Sequence, residues 1–430
     1  MTEPSTRAGR AAWCMYDWAN SAFPTVIITF VFAAYFTEGV VGDAVAGTAM
    51  WGQAMGYSAF AIVILAPILG AIADHTGRRK PWLFLTTGLC IVLSACLWIV
   101  TPDASMAITA LLLVAGANIA FELGMVFYNA MLPDLVGPKK IGRMSGWGWA
   151  TGYFGGLVCL ALVLVLFVQA DSPIFGLDKD AAEHVRIVGP FVALWMALFA
   201  IPLFILTPDK PTTGVSMGTA VRRGFRELSQ TIAEAKYHKN IFKFLIARMF
   251  YTDGLNTLFA FGGIYAAGTF GMSFEELIIF GIGMNVTAGL GAFAFAWFDD
   301  RWGSKTVIYV SLVYLIILGT AILIVEDVTW FWVFGLSLGI FVGPAQSASR
   351  TLMARISPED IRTEMFGLYA LSGKATAFLG PLAVGILTYA FDSQRVGMSA
   401  IVFFFILGGL LMIGVKQAKG PLKERRAPAG

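Results

Sequence analysis

Of the 430 residues, 57% are hydrophobic and 13% are charged, about half the charged share of a soluble domain, which excludes a soluble enzyme or binding module. The 30 bases against 27 acids leave a net charge of +3, too small to point to a nucleic-acid partner. Cys14, Cys90, Cys96 and Cys159 fall in or beside apolar runs without paired spacing, so neither a disulfide framework nor a zinc site is expected.

Met1 to Arg10 is polar and leads into an apolar run with no small-residue cleavage site, the pattern of a retained anchor helix. A membrane span takes about 20 apolar residues, and six such runs are predicted near residues 12–37, 50–73, 82–100, 105–132, 144–169 and 187–206. The loop before the sixth carries Asp171, Asp178, Asp180 and Glu183, a solvated acidic surface. Residues 207–240 turn polar. There Val221, Phe225, Leu228 and Ile232 recur at helical spacing against Arg222, Arg223, Arg226 and Glu227, the pattern of an amphipathic helix on the inner leaflet or of a solvated linker helix. Six further spans are predicted near 241–267, 274–298, 306–325, 329–353, 363–390 and 396–415.

The expected fold is therefore all-α, with twelve transmembrane helices in two bundles, residues 1–206 and 241–430, joined by a cytoplasmic linker over 207–240. Among the bases, Lys179, Arg186 and Arg395 fall in loops this count puts outside. Arg78, Arg79, Lys80, Lys139, Lys140, Arg143 and the tail from Lys416 to Arg426 fall inside, so both termini are expected to be cytoplasmic.

The halves echo one another. Gly70, Asp74, Gly77, Arg78 and Arg79 form a charged turn between helices two and three, and Asp300, Arg301, Gly303 and Lys305 repeat its order of acid, glycine and base between helices eight and nine. Tyr16, Asp17 and Asn20 in helix one are matched by Tyr251, Asp253 and Asn256 in helix seven, with acid and amide on one face in each. Met144, Gly146 and Gly152 in helix five are matched by Met365, Gly367 and Gly373 in helix eleven. Corresponding helices carry these echoes in order, as a parallel duplication of six-helix halves requires.

Ionisable groups at bilayer depth are costly and should face a cavity or a partner. Asp17, Glu122, Arg248, Asp253 and Lys374 are the ones expected there, with Lys374 at a depth of ~15 Å, near the midplane. The candidate substrate site comprises Asp17, Asn20, Asp253, Asn256 and Lys374, with Lys374 paired at rest to Asp253 or Asp17 and Glu122 left free as a proton carrier. His75, His184 and His238 lie in turns and loops, and no metal, cofactor or nucleophile constellation appears, so an enzyme is not expected. Asp74 ends helix two, where it can accept from the amides at the N-terminus of a neighbouring helix.

The glycine, acid, glycine and paired bases of the charged turn resemble the loop signature of the major facilitator superfamily of secondary transporters, although His75 stands where a Lys or Arg is usual. That resemblance implies that the turns latch the halves on the cytoplasmic side. The run from Trp13 to Phe23, together with Phe127 to Pro133 and Phe366 to Lys374, is similar to the vacuole-effluxer branch, which groups fungal vacuolar amino-acid effluxers with bacterial relatives. It implies a monomeric transporter of small solutes in a bacterial plasma membrane, with amino acids as the first candidate and a proton as a candidate coupling ion. A sugar or other metabolite permease, or a sensor that kept the fold without transport, is the alternative. The stretch Pro208-Asp209-Lys210-Pro211 lacks the sugar-porter pattern of acid, Ser and Arg between prolines, and helix five lacks the glycine-proline motif of drug antiporters.

Overall fold

The computed structural model describes residues 5–170, 174–233 and 238–417. The tail bases beyond Gln417, Asp171, and the side chains of Glu227, Leu228 and Ile232 lie outside the described residues.

Eleven described helices are long and apolar enough to cross a membrane: Arg7–Val40 (helix one), Ala46–Thr76 (two), Lys80–Ile99 (three), Ala104–Leu135 (four), Pro138–Val168 (five), Glu183–Leu206 (six), Ile279–Trp302 (eight), Ser304–Ile324 (nine), Val328–Ile356 (ten), Arg362–Phe391 (eleven) and Gln394–Met412 (twelve). Helix seven, Lys239–Phe270, is as long, but Arg248, Asp253 and Asn256 make its interior more polar. With helix seven, the described residues form the twelve long helices expected from the sequence.

Several helices run past the apolar bands. Helix two continues through Asp74, helix eight through Asp300, and helix five already starts at Lys139 and Lys140, because charged residues are tolerated once a helix leaves hydrocarbon. Their ends are capped locally. Thr6 accepts from the Gly9 amide, Ser273 and Glu276 form a reciprocal capping box, and Asp327 accepts from Thr329 and Trp330. The Thr329 hydroxyl and amide hold the Asp327 carboxyl below its ordinary range.

Two spanning helices are irregular. Pro24 interrupts helix one, and beyond it the amides reach five residues back, as Val31 does to Val26. Helix eleven, expected as one rod, instead stops at Lys374 and restarts at Leu379.

The linker helix, Met217–Ala233, lies against helix two. Ala220 is buried, and a Cβ on Gly224 would meet the backbone of Ala71 and Ile72 at 3.0–3.2 Å. Phe225 remains exposed beside Arg222, Arg223 and Arg226.

Helix two packs along helix eleven, and helix five along helix eight. The approach is backbone to backbone: a Cβ on Gly70 would lie 2.5 Å from Thr363 O, one on Gly367 2.5 Å from Ala66 O, and one on Gly146 2.6 Å from Ala292 O. The paired Gly146 and Gly367 of the sequence echo thus serve the same contact in the two halves.

Candidate functional site

At one end of the molecule the two charged turns perform related tasks. Gly77 and Gly303 take φ of +81° and +89°, the left-handed region where a side chain is strained, and so turn the chain sharply between helices. Asp74 reaches the start of helix eleven, accepting from Thr363 Oγ1 at 2.5 Å and the Glu364 amide at 2.8 Å. Asp300 reaches the start of helix five, accepting from the Gly142 amide and Arg143 Nε, both at 2.8 Å. Each carboxylate therefore sits at the positive N-terminal end of a helix from the other half.

The countercharges differ between the halves. Arg79, 2% exposed, donates to Thr363 Oγ1 at 2.9 Å, to Ala130 O at 2.9 Å and to Asp134 of helix four. Asp134 in turn binds Arg362 of helix eleven at 2.9 Å. In the second half the base comes from helix ten: Arg355 lies 2.7 Å from Asp299 and 3.4 Å from Asp300. Of the remaining turn residues expected to gate, Arg78 is 57% exposed and 3.7 Å from Asp209, and Arg301 is exposed without a polar partner among the described residues. Lys305 donates instead to Ile413 O and Val415 O, capping helix twelve, as Lys80 donates to Thr207 O at the end of helix six.

Deeper in, Asp17 is not paired with Lys374. Its Oδ2 accepts from Tyr128 OH at 2.8 Å and from Arg350 Nη1 at 3.2 Å. Asn20 is buried on the same face, with its Nδ2 3.2 Å from Met125 Sδ.

Lys374 meets a different acid as well. Its Nζ lies 2.7 Å from Glu122 Oε1 of helix four, with 29% and 22% of the two side chains exposed. Glu122 is thus the partner and not the free acid. Asp253 is withdrawn because it caps the restarted half of helix eleven: Gly380 N donates to its Oδ2 at 3.0 Å, where a carboxylate complements the helix dipole. Its Oδ1 is buried without a hydrogen-bond partner. Thr376 Oγ1 donates to Met249 O, tying the break to helix seven.

Lys374 therefore stands at the last turn before a break in a spanning helix. Irregular backbone at membrane depth is tolerated only inside protein or along a cavity. Close by on helix seven, Arg248 donates to Tyr369 O and Ser372 Oγ, both at 2.7 Å, and lies 3.5 Å from the centre of the Tyr369 ring. It has no carboxylate partner among the described residues. Asn256 is exposed.

Sequence reasoning missed Arg350, Tyr128 and Asp134 as bridging groups. The span expected over 329–353 puts Arg350 at the membrane edge, where arginine is unremarked; its burial comes from contacts with Asp17, Asn129 and Ser145 of other helices, which spacing does not show. Arg350 is 1% exposed. The usable signal was symmetry, since Arg350 and Asn129 each precede the last residue of their helices, Ile356 and Leu135, by the same interval and touch at 3.2 Å.

Comparison with known proteins agrees with this architecture. The family described as vacuole effluxer Atg22 like matches residues 139–424, and the major facilitator superfamily matches residues 4–160. The chain is similar to the uncharacterized MFS-type transporter YxiO of Bacillus subtilis (strain 168), 26% identical over 409 residues covering 94% of each chain. It is similar also to autophagy-related protein 22 of Kluyveromyces lactis, 22% identical over 73% of this chain and 68% of that one. Among solved structures, the proton:xylose symporter XylE superposes with a TM-score of 0.75 at 14% identity, covering 96% of each chain. FucP in the outward conformation superposes with a TM-score of 0.70 at 13% identity, covering 96% of this chain and 100% of that one. At such identities these two share the fold alone.

Proposed function

This chain belongs to the vacuole effluxer family of major facilitator transporters, and from that premise we propose that it moves an amino-acid-like solute by alternating access. Residues 1–206 and 241–430 rock as two bundles about a cavity, joined by the 207–240 linker. The charged-turn end is the cytoplasmic one, in keeping with the crowding of bases there, and the membrane is a bacterial plasma membrane. The transporter works as a monomer.

The observation that carries the substrate reading is the Lys374–Glu122 pair at 2.7 Å, partly open, between the two halves and beside the break in helix eleven. A substrate carboxylate takes Lys374 from Glu122, with Arg248 as the second base and Asn256 as a neutral donor. Glu122, once released, is the acid available to carry a proton. Asp17, Asn20 and Asp253 support the walls, with Asp17 Oδ2, Asn20 Nδ2 and Asp253 Oδ2 each bonded within the protein.

Uptake into vesicles carrying the purified protein tests this directly. Labelled amino acids should accumulate, and a labelled neutral sugar should not. Lys374→Met should abolish uptake. The Lys374→Met, Glu122→Gln double variant should fold like the parent yet bind substrate at least tenfold more weakly, because both members of the pair have gone together. Parent-like binding by a folded double variant would show the pair to be structural only.

A further inference from the structure

Arg350 belongs to helix ten, yet its donors reach into the first six helices. Nε donates to Ser145 Oγ at 2.9 Å, Nη1 to Asp17 Oδ2 and Asn129 Oδ1 at 3.2 Å, and Nη2 to Ser145 O at 2.6 Å. Its Cζ lies 5.0, 5.6 and 5.8 Å from the ring centres of Trp13, Trp149 and Tyr128. Such distances bring the cation within reach of the ring quadrupoles.

The receiving wall holds itself together without the arginine. The Trp13 and Tyr128 rings stack with centres 4.3 Å apart. Trp13 Nε1 donates to Tyr128 O, and Tyr128 OH lies within bonding distance of both Trp13 O and Asp17 Oδ2. Gly148 leaves the space open, since a Cβ there would lie 2.5 Å from Asp17 Oδ2 and 2.9 Å from Arg350 Nη2. A planar fork with donors on all three nitrogens fits acceptors on two sides and rings on its faces, which a compact ammonium does not.

We propose that this wall is a preformed guanidinium socket, plugged by Arg350 while the halves are joined at the charged-turn end and open to a cationic solute or solute group once they part there. The second clause rests on the alternating-access reading; the existence of the socket does not.

The test uses methylguanidinium as probe, with methylammonium and sodium chloride at equal ionic strength as controls. Purified Arg350→Ala should gain a saturable rise in thermal midpoint and a change in tryptophan emission with methylguanidinium, at least tenfold tighter than with methylammonium. The parent, already plugged, should show no such rise, and adding Asp17→Asn to the variant should abolish it. A folded Arg350→Ala that gives no saturable response, responds equally to sodium chloride, or keeps its response without the Asp17 charge would overturn the socket. Should that variant fail to fold, the parent in vesicles decides. Methylguanidinium should slow uptake at least threefold when present on the charged-turn side and have no effect from the other side, and equal or absent inhibition from both sides would overturn the proposal. The binding arm needs no transport, so a chain that carried no amino acid would still test the socket.

Discussion

Two adjacent arginines show how far a motif can be read before coordinates decide. The sequence places Arg78 and Arg79 in one charged turn, with Asp74 and Arg78 as the natural controlling pair. The structure instead turns Arg79 inward, at 2% exposure, onto Asp134, Ala130 O and Thr363, and leaves Arg78 57% exposed. A motif fixes composition, but which side chain enters depends on the φ of +81° at Gly77, which spacing does not reveal. Arg79→Met should therefore cost about 3–5 kcal/mol, because it removes the buried base beside Asp74 and Asp134 and leaves Arg362 alone on Asp134. Arg78→Met should cost under about 1 kcal/mol, as for an exposed pair. Thermal midpoints of the two variants, measured side by side, check this; comparable losses would mean that the inward arginine is not the one holding the turn.

Helix eleven shows what decides a break. Pro67, Pro133, Pro202 and Pro344 all lie inside helices that continue through them, so a proline in an apolar run does not by itself predict an interruption. Pro381 differs because Asp253 of helix seven offers its carboxylate to Gly380 N, and Thr376 bonds Met249 O. Those partners allow the chain to stop at Lys374 and restart at Leu379, with the proline in the first turn, where its missing N–H is not needed. The twelve spans were legible because apolar runs of the required length are hard to hide; the break was not, because its cause sits in another helix. For the same reason the partner of Lys374, which is partly exposed and not buried, was not legible, since register between helices four and eleven is set by packing. Pro381→Ala leaves those partners in place but restores an N–H that can bond Ala377 O across the break, so helix eleven should extend and shift Lys374 from Glu122. The expected outcome is a fold as stable as the parent's or slightly more so, with uptake lowered at least fivefold. Unchanged uptake kinetics would mean that the break does not position the lysine.

At the scale of the whole molecule, the cross-half bonds at the charged-turn end are related by the internal duplication. Asp74 of helix two holds the start of helix eleven, and Asp300 of helix eight holds the start of helix five. Arg350 of helix ten also bonds across the halves, to Asp17, Asn129 and Ser145. A joint built from ion pairs and helix ends has two discrete arrangements, made or parted, whereas a graded slide would leave buried charges unpaired along the way. The strap after helix six adds a place to test this without touching the latches. Asp209 accepts from the Arg79 and Lys80 amides, which fixes the strap to the first half, and the neighbouring Lys210 reaches Glu359, just ahead of helix eleven, at 3.3 Å. With the four native cysteines replaced by serine, Lys210→Cys and Glu359→Cys can be joined by a short bifunctional thiol reagent that is cleaved by reduction. The joined protein should lose uptake and regain it on reduction. In the same background, a cysteine at Asn256 should stay open to an impermeant thiol reagent from the opposite side while the link is intact, because the cavity is held facing that way. Uptake that persists through the intact link would show that the two bundles do not have to part at this end, and rocking would then be the wrong description of the cycle.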